Sequence, residues 1–144
     1  SLVCVDASIV VALMTVESWS KRALALWTEW TRGGVQIIAP VLLRYETTSV
    51  LRHKVVRGVI SLQDARRALE EAQSLDIELL DPPGLPLRAF ELAARFNRPT
   101  AYDAYYLALA DMVGSEFWTA DERLYNAVRG GFPDIRWLGD YQQR

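Results

Sequence analysis

Short apolar runs alternate with longer amphipathic stretches along the chain, and this pattern predicts strands separated by helices. The runs with strand character are residues 2–5, 36–39, 76–80, 116–119 and 135–138. The stretches with helical periodicity are residues 9–14, 18–32, 41–57, 61–74, 87–96, 101–113 and 121–128. Strands joined by helix-length crossovers favour a parallel sheet covered on both faces. We therefore expect an α/β protein with a three-layer α/β/α architecture.

Helix-ending and helix-starting residues support these boundaries. Gly33, Gly58 and Gly114 follow three of the predicted helices, as expected for residues that end a helix. Ser61 precedes Asp64 by three residues, which is a capping-box pattern at the start of a helix. The Pro-rich connector 81–86 is too short to separate two domains. We therefore expect residues 1–144 to form a single domain.

Composition fits one globular domain and gives no general affinity for nucleic acid. The 144 residues are 51% hydrophobic and 24% charged, which is ordinary for a folded protein and argues against disorder. The formal net charge is −2, whereas phosphate backbones favour basic partners. Binding to RNA or DNA would therefore need a local source of positive charge, such as a divalent cation held by acidic residues.

Cysteine content and hydropathy indicate the compartment. The single cysteine, Cys4, rules out a disulfide framework and has no partner at zinc-ligand spacing. The longest apolar stretch, residues 7–14, is too short to cross a bilayer. No charged segment or cleavage-site pattern of a signal peptide precedes it. We expect a cytoplasmic protein that does not bind a membrane.

Four acidic residues fall where a parallel sheet usually binds its ligand. Asp6 and Asp121 come directly after the first and fourth predicted strands, Glu46 lies in the second turn of the helix after the second strand, and Asp103 lies in the first turn of another helix. Ligands of open parallel sheets bind at the carboxyl ends of the strands. We therefore expect these four carboxylates to gather at one edge.

Helical spacing predicts that Glu46 and Asp103 belong to the core-facing stripes of their helices. Leu43 and Val50 flank Glu46 at helical spacing, and Tyr106 and Leu107 follow Asp103 by three and four residues. Buried carboxylates are costly unless they are paired, protonated or metal-bound. Oxygen ligands suit Mg²⁺ or Mn²⁺, and no His and Cys set for zinc is present.

Each acid also has a purely structural interpretation. Asp6 is a candidate helix cap, and the segments 100–103 and 119–122 have capping-box patterns. Glu46 has Arg44 and Lys54 as candidate ion-pair partners, or can point to solvent. Capping does not account for Glu46, nor for the shared edge of all four acids, so the set favours a metal site.

The residues around these acids resemble the PIN domain family, and in particular its VapC-type toxins. The resemblance lies in four segments that occur in the family's order and span nearly the whole chain: 5–8, 40–46, 102–110 and 118–124. The third and fourth segments, Tyr-Asp-Ala with its apolar helix and Thr-x-Asp, contribute most to it. One departure is Thr48, where many relatives have Asn after the second acid.

The resemblance implies a fold, a chemistry and partners. It implies a five-stranded parallel sheet with the first and fourth strands adjacent. It further implies an endoribonuclease that is the toxin of a type II toxin–antitoxin pair, forms a homodimer and is silenced by a cognate antitoxin. By the same resemblance, one or two Mg²⁺ ions, or Mn²⁺ in their place, are held by Asp6, Asp103, Asp121 and, directly or through water, Glu46. Ser8 and Thr119 match positions whose hydroxyls support the acids.

Arg44 and Arg98 are the candidate RNA-binding residues, because they neighbour the acids in sequence. His53 lies seven residues beyond Glu46, about 10 Å along a helix, and is therefore not expected to be a catalytic base. The aromatic residues Trp19, Trp27 and Trp30 are expected to pack in the core or against a partner rather than to stack on bases.

Two other functions remain open at the level of sequence. One keeps the fold, as a PIN nuclease in RNA processing or an RNA-binding PIN protein, and the complete set of acids argues against an inactive relative. The other is a small-ligand or phosphoryl-transfer α/β domain. That function predicts a glycine-rich phosphate loop after the first strand, and residues 6–9 contain no glycine.

Overall fold

The five strands form one parallel sheet, seen in a computed structural model that describes residues 1–143. The spatial order of the strands is β3-β2-β1-β4-β5, and every neighbouring pair is parallel. Their bounds are β1 Leu2–Val5, β2 Gln36–Pro40, β3 Glu78–Leu80, β4 Glu116–Thr119 and β5 Ile135–Trp137. The predicted adjacency of the first and fourth strands is therefore confirmed.

Helices connect successive strands on both faces of this sheet. Their bounds are α1 Ala7–Met14, α2 Ser20–Arg32, α3 Leu42–Val56, α4 Leu62–Gln73, α5 Leu85–Arg95, α6 Tyr102–Val113 and α7 Glu122–Val128, and a short 3₁₀ helix covers Leu138–Asp140. Helix α1 packs against α2, α3 and α4, whereas α5 packs on α6, which lies against β1, β2 and β4. The predicted three-layer α/β/α class is confirmed.

Helix caps explain where the observed bounds differ from the predicted ones. Helix α1 begins at Ala7 rather than at residue 9, because the Asp6 side chain accepts the first free N–H groups. Helix α5 begins at Leu85, two residues earlier than predicted, because Pro86 fits the first turn, where its missing N–H costs nothing. Gly84 precedes it with a φ of 87°, a conformation that suits glycine.

The central strand β1 positions the site. Its residues Val3, Cys4 and Val5 are fully buried, as expected for a strand covered by helices on both faces. Beyond β1 and β4 the chain turns into α1 and α7, so the crevice at the carboxyl ends of these two strands is the switch point of the sheet. Within residues 1–143, no helix has the length and apolar character to cross a membrane.

Candidate active site

Asp6 is a buried carboxylate at the end of β1. Its Oδ1 accepts the backbone N–H groups of Ser8 and Ile9 at 3.0 and 3.3 Å, and also the Ser8 hydroxyl at 2.5 Å. Its Oδ2 accepts the Thr119 hydroxyl at 2.6 Å. Only 8% of the residue is exposed. Asp6 thus caps α1, as its structural interpretation expected, and at the same time connects the ends of β1 and β4.

The Ser8 and Thr119 hydroxyls link the ends of the two strands through Asp6. Ser8 Oγ accepts the N–H of Ala120 at 2.8 Å, and Thr119 Oγ1 accepts the N–H of Asp121 at 3.0 Å. The two hydroxyl oxygens are 3.3 Å apart. Because each hydroxyl has one proton and donates it to Asp6, both contacts hold the carboxylate in a single orientation.

Asp121 begins α7 on the same edge of the sheet. Its Oδ1 accepts the N–H groups of Arg123 and Leu124 at 3.0 and 3.2 Å, so it is the N-cap of that helix. The residue is exposed, unlike Asp6, and its own N–H is bound by the Thr119 hydroxyl that also contacts Asp6. The N-cap is Asp121 rather than Thr119, so the capping box expected over 119–122 is absent.

Glu46 and Asp103 belong to two different helices, α3 and α6. Glu46 is half-buried in α3, and its Oε1 is buried without a hydrogen-bond partner. Asp103 lies in the first turn of α6, with 36% of its side chain exposed. No side-chain cap begins α6, so the capping box expected at 100–103 is absent. A structural role as a cap therefore accounts for Asp6 and Asp121 but not for Glu46 and Asp103.

Charge interactions link three of the acids pairwise. Burial raises the pKa of Asp6 to about 7, against the lowering effect of its hydrogen bonds with Ser8, Thr119 and Ile9, and the negative charge of Glu46 raises it further. Burial also raises the pKa of Glu46, the Tyr106 hydroxyl opposes this, and Asp103 adds to it. Asp6 is thus linked to Glu46, and Glu46 to Asp103, whereas the contact of Asp121 with Thr119 is made by its backbone N–H.

This donor set fits a hard divalent cation. All four side chains offer carboxylate oxygens, and one buried oxygen, Glu46 Oε1, has no protein partner. Among residues 1–143, however, no three His, Cys, Asp or Glu side chains already lie at the spacing that would enclose an ion. Binding an ion at this edge would therefore require these side chains to move closer together.

Arg98 pairs with one of these acids. Its Nη2 lies 3.2 Å from Asp103 Oδ2, and only 20% of its side chain is exposed. Arg44 differs, because it is exposed on α3 and no ion pair of its side chain is seen in residues 1–143. The Thr48 hydroxyl donates to the Arg44 carbonyl at 2.7 Å. Use of either arginine for RNA stays a prediction.

Tyr106 was not identified from the sequence as a site residue. Its spacing from Asp103 marked it only as part of the apolar stripe of α6, yet burial and the charges of Glu46 and Asp6 raise the pKa of its hydroxyl. A tyrosine on the apolar stripe of a helix resembles an ordinary core residue. The one weak signal in the sequence was its polar hydroxyl at a position expected to be buried.

Trp30 is in the core and Trp19 and Trp27 pack against it, while His53 is exposed near the end of α3.

The pKa of Asp6 predicts how the stability of the metal-free protein depends on pH. The folded value of about 7 lies above the ordinary 3.8, so between these values the native state holds a proton that the unfolded chain has released. The free energy of unfolding should therefore fall as the pH rises from about 4 through about 7, by roughly 4 kcal/mol at most. Urea unfolding in EDTA at several pH values measures this.

Asp6→Asn is the control for this pH dependence, because asparagine keeps the cap and does not titrate. The variant should lose most of the fall in stability above pH 5. Identical profiles for the two proteins would show that Asp6 is not the group responsible.

The open parallel sheet, with Asp6 and Asp121 directly beyond its two central strands, makes this chain an α/β protein with a candidate acidic site at the switch point of the sheet. The sequence profile of the PIN domain matches residues 3–130. The chain therefore belongs to the PIN domain family, as its motifs predicted.

Relatives within the family are of the VapC type. The chain is 30% identical over 132 residues to the "VapC ribonuclease Mb0985" of Mycobacterium bovis and, equally, to "Ribonuclease VapC9" of Mycobacterium tuberculosis. Each alignment covers 92% of this chain and 95% of the relative. The predicted VapC-type identity is confirmed.

Solved structures share the fold at low sequence identity. PAE2754 from Pyrobaculum aerophilum superimposes with a TM-score of 0.68 at 22% identity, covering 95% of this chain and 89% of that chain. The Mycobacterium tuberculosis protein VapC20, described as a sarcin-ricin loop cleaving toxin, gives 0.67 at 19% identity, covering 93% and 98%. A chain of VapBC-1 from nontypeable Haemophilus influenzae gives 0.62 at 12% identity, covering 97% and 100%.

Proposed function

We propose that this chain is a Mg²⁺-dependent endoribonuclease and the toxin of a type II toxin–antitoxin pair. The observation that carries the proposal is the buried Asp6 carboxylate, held by Ser8 and Thr119 at the switch point of a VapC-type PIN fold and coupled to Glu46. A buried negative charge of this kind is costly, and a divalent cation would offset it.

The proposed roles follow from where each acid lies. Asp6, Asp103 and Asp121 would hold the ion directly, and Glu46 would hold it directly or through water. Ser8 and Thr119 orient Asp6 by donating to its two oxygens. A divalent ion held by these residues would supply charge neutralisation at the phosphate and a more acidic water for attack on the phosphodiester. The expected products carry a 5′-phosphate and a 3′-hydroxyl.

RNA cleavage and its metal dependence provide the test. Purified protein incubated with total cellular RNA should cut it in Mg²⁺ or Mn²⁺ and should leave it intact in EDTA, and end-labelling should identify the 5′-phosphate. A matched preparation of Asp103→Asn distinguishes this activity from a contaminating nuclease. Cleavage that persists in EDTA, or equally in the variant, would contradict the proposal.

The toxin role has its own partners and test. We propose that the chain acts in the cytoplasm as one PIN domain, forms a homodimer and binds a cognate antitoxin, as the name VapBC-1 of a structural neighbour suggests. Induced expression should arrest growth, and co-expression of a small DNA-binding protein encoded by the adjacent gene should restore it. Growth unaffected by an active nuclease would favour a role in RNA processing instead.

Two arginine substitutions distinguish a side chain that contacts RNA phosphate from one that pairs within the protein. Arg44→Ala should weaken RNA binding and reduce the slope of log affinity against log salt by about one, because an exposed cation two residues before Glu46 is removed. Arg98→Ala should have a smaller effect on the slope, since Arg98 already pairs with Asp103. Fluorescence anisotropy with the catalytically inactive Asp6→Asn background measures both. An unchanged slope for Arg44→Ala would exclude Arg44 from phosphate contact.

A further inference from the structure

Tyr106 places an unpaired hydroxyl in the protein interior. The residue is 1% exposed, and its ring stacks on Phe117 with centroids 5.9 Å apart and an interplanar angle of 11°. The Cys4 thiol approaches the Tyr106 carbonyl at 3.8 Å from β1. In the described part of the chain, the Tyr106 Oη atom makes no hydrogen bond. Phenylalanine would supply the same ring packing, so packing does not explain the hydroxyl.

A second buried atom without a partner belongs to Glu46, the acid whose charge acts on this hydroxyl. Glu46 Oε1, which comes from α3, also has no hydrogen-bond partner within residues 1–143. The Tyr106 hydroxyl favours the ionised form of Glu46, and the negative charge of Glu46 disfavours ionisation of Tyr106. The two atoms nevertheless do not have ordinary hydrogen-bond geometry. Each buried polar group without a partner destabilises the folded state. One hydrogen bond between them would satisfy both.

We propose that Tyr106 is a positioning residue for Glu46, donating its Oη–H to Glu46 Oε1 when a divalent ion is bound. This contact would fix one oxygen of the Glu46 carboxylate and leave Oε2 available to the ion. The inference rests on the proposed function, because it gives Tyr106 a part in the same ion-dependent reaction. A hydrogen bond of this kind sets the orientation of a ligand without touching the substrate.

The architecture explains why this contact has to come from α6. Helix α6 lies against β1, β2 and β4 and brings Asp103 to the sheet edge, and Tyr106 follows one turn later beneath it. Helix α3 starts directly after β2 and brings Glu46 to the same edge. Tyr106 is therefore the group through which α6 fixes a carboxylate belonging to α3.

Tyr106→Phe tests the proposal with little change in shape. The variant should lower kcat for RNA cleavage about 10- to 100-fold with little change in KM, and should weaken Mn²⁺ binding in isothermal titration calorimetry by a similar factor. The melting temperature of the metal-free protein should be equal or higher, because an unpaired buried hydroxyl is removed. If Tyr106 served only to pack the core, its substitution would instead lower the melting temperature of the metal-free protein.

Thr47→Val is the matched control, since Thr47 Oγ1 is also buried without a partner and belongs to the residue next to Glu46. It should leave kcat and Mn²⁺ affinity unchanged. In a Glu46→Gln background, Tyr106→Phe should no longer alter Mn²⁺ affinity, because its effect acts through Glu46.

The outcomes separate this inference from the proposed function. If the wild type cuts RNA and binds Mn²⁺, but Tyr106→Phe has the same kcat and the same Mn²⁺ affinity, the inference alone is overturned. An additive effect of Tyr106→Phe in the Glu46→Gln background would overturn it as well, because Tyr106 would then act by another route. A wild type that neither binds Mn²⁺ nor cuts RNA would overturn the proposed function and the inference with it.

Discussion

Asp6→Asn is expected to abolish RNA cleavage, with a loss well beyond the about 100-fold typical of residues that only support a metal ligand. The same variant should keep, or raise, the melting temperature of the metal-free protein at pH 8. Both effects have one cause, because the substitution removes a buried negative charge that a bound cation requires and that the metal-free fold tolerates poorly. Single-turnover cleavage and thermal melting in EDTA measure the two effects.

The asparagine side chain can keep the structural contacts of Asp6. Its amide oxygen can still accept the N–H groups of Ser8 and Ile9, and asparagine is as good a helix cap as aspartate. Its NH₂ group would face Thr119, whose hydroxyl oxygen has a second lone pair besides the one that accepts from Asp121. We therefore expect the fold to survive while the ligand is lost.

Ser61→Ala is the control for capping alone. Ser61 caps α4 through the N–H of Asp64, far along the chain from the acids. Its loss should cost about 1 kcal/mol of stability and leave cleavage unchanged. If Asp6→Asn kept full activity, or lost activity only in proportion to unfolded protein, Asp6 would be a helix cap and no more.

The sequence was informative about the fold because each element carries a local signal. Alternating runs and crossovers predicted a parallel sheet, and the fully apolar β1 fits a strand buried on both faces. The order of the strands has no such local signal, because the periodicity within β1 and within β4 does not indicate that the two strands pair. Their adjacency followed from the family resemblance, and the register of Val5 with Trp118 bears it out.

The site was only partly accessible from sequence. The sheet-edge argument placed Asp6 and Asp121 because each directly follows a strand, and hydrogen bonds through Thr119 now link these two positions. The pairing of Arg98 with Asp103 follows a turn at Asn97, whose φ is 52°, and the effect of the Tyr106 hydroxyl on Glu46 depends on how α3 and α6 are placed. Contacts of this kind depend on tertiary geometry, which spacing along one element does not encode.

Divalent ions are expected to raise the melting temperature of the wild type substantially at pH 8. Ligand present at 100 times its dissociation constant stabilises a native state by about 2.7 kcal/mol. For a domain of this size the shift amounts to about 5 to 10 °C. The shift should be smaller at pH 5, because the raised pKa of Asp6 leaves that carboxyl protonated and an ion then has to displace the proton. Differential scanning fluorimetry with Mg²⁺ or Mn²⁺ against EDTA measures this.

Asp121→Asn decides whether the exposed acid binds the ion or only caps α7. Asparagine retains the cap to Arg123 and Leu124, so the melting temperature in EDTA should hardly change. A ligand role predicts that the ion-induced shift falls to a small fraction of the wild-type value, since one negative oxygen donor is lost. Equal shifts in the two proteins would exclude Asp121 as a ligand. If the ion-induced shift in melting temperature were also unchanged in Asp6→Asn, the ions would bind elsewhere on the surface. The acidic residues at the sheet edge would then not form a metal site.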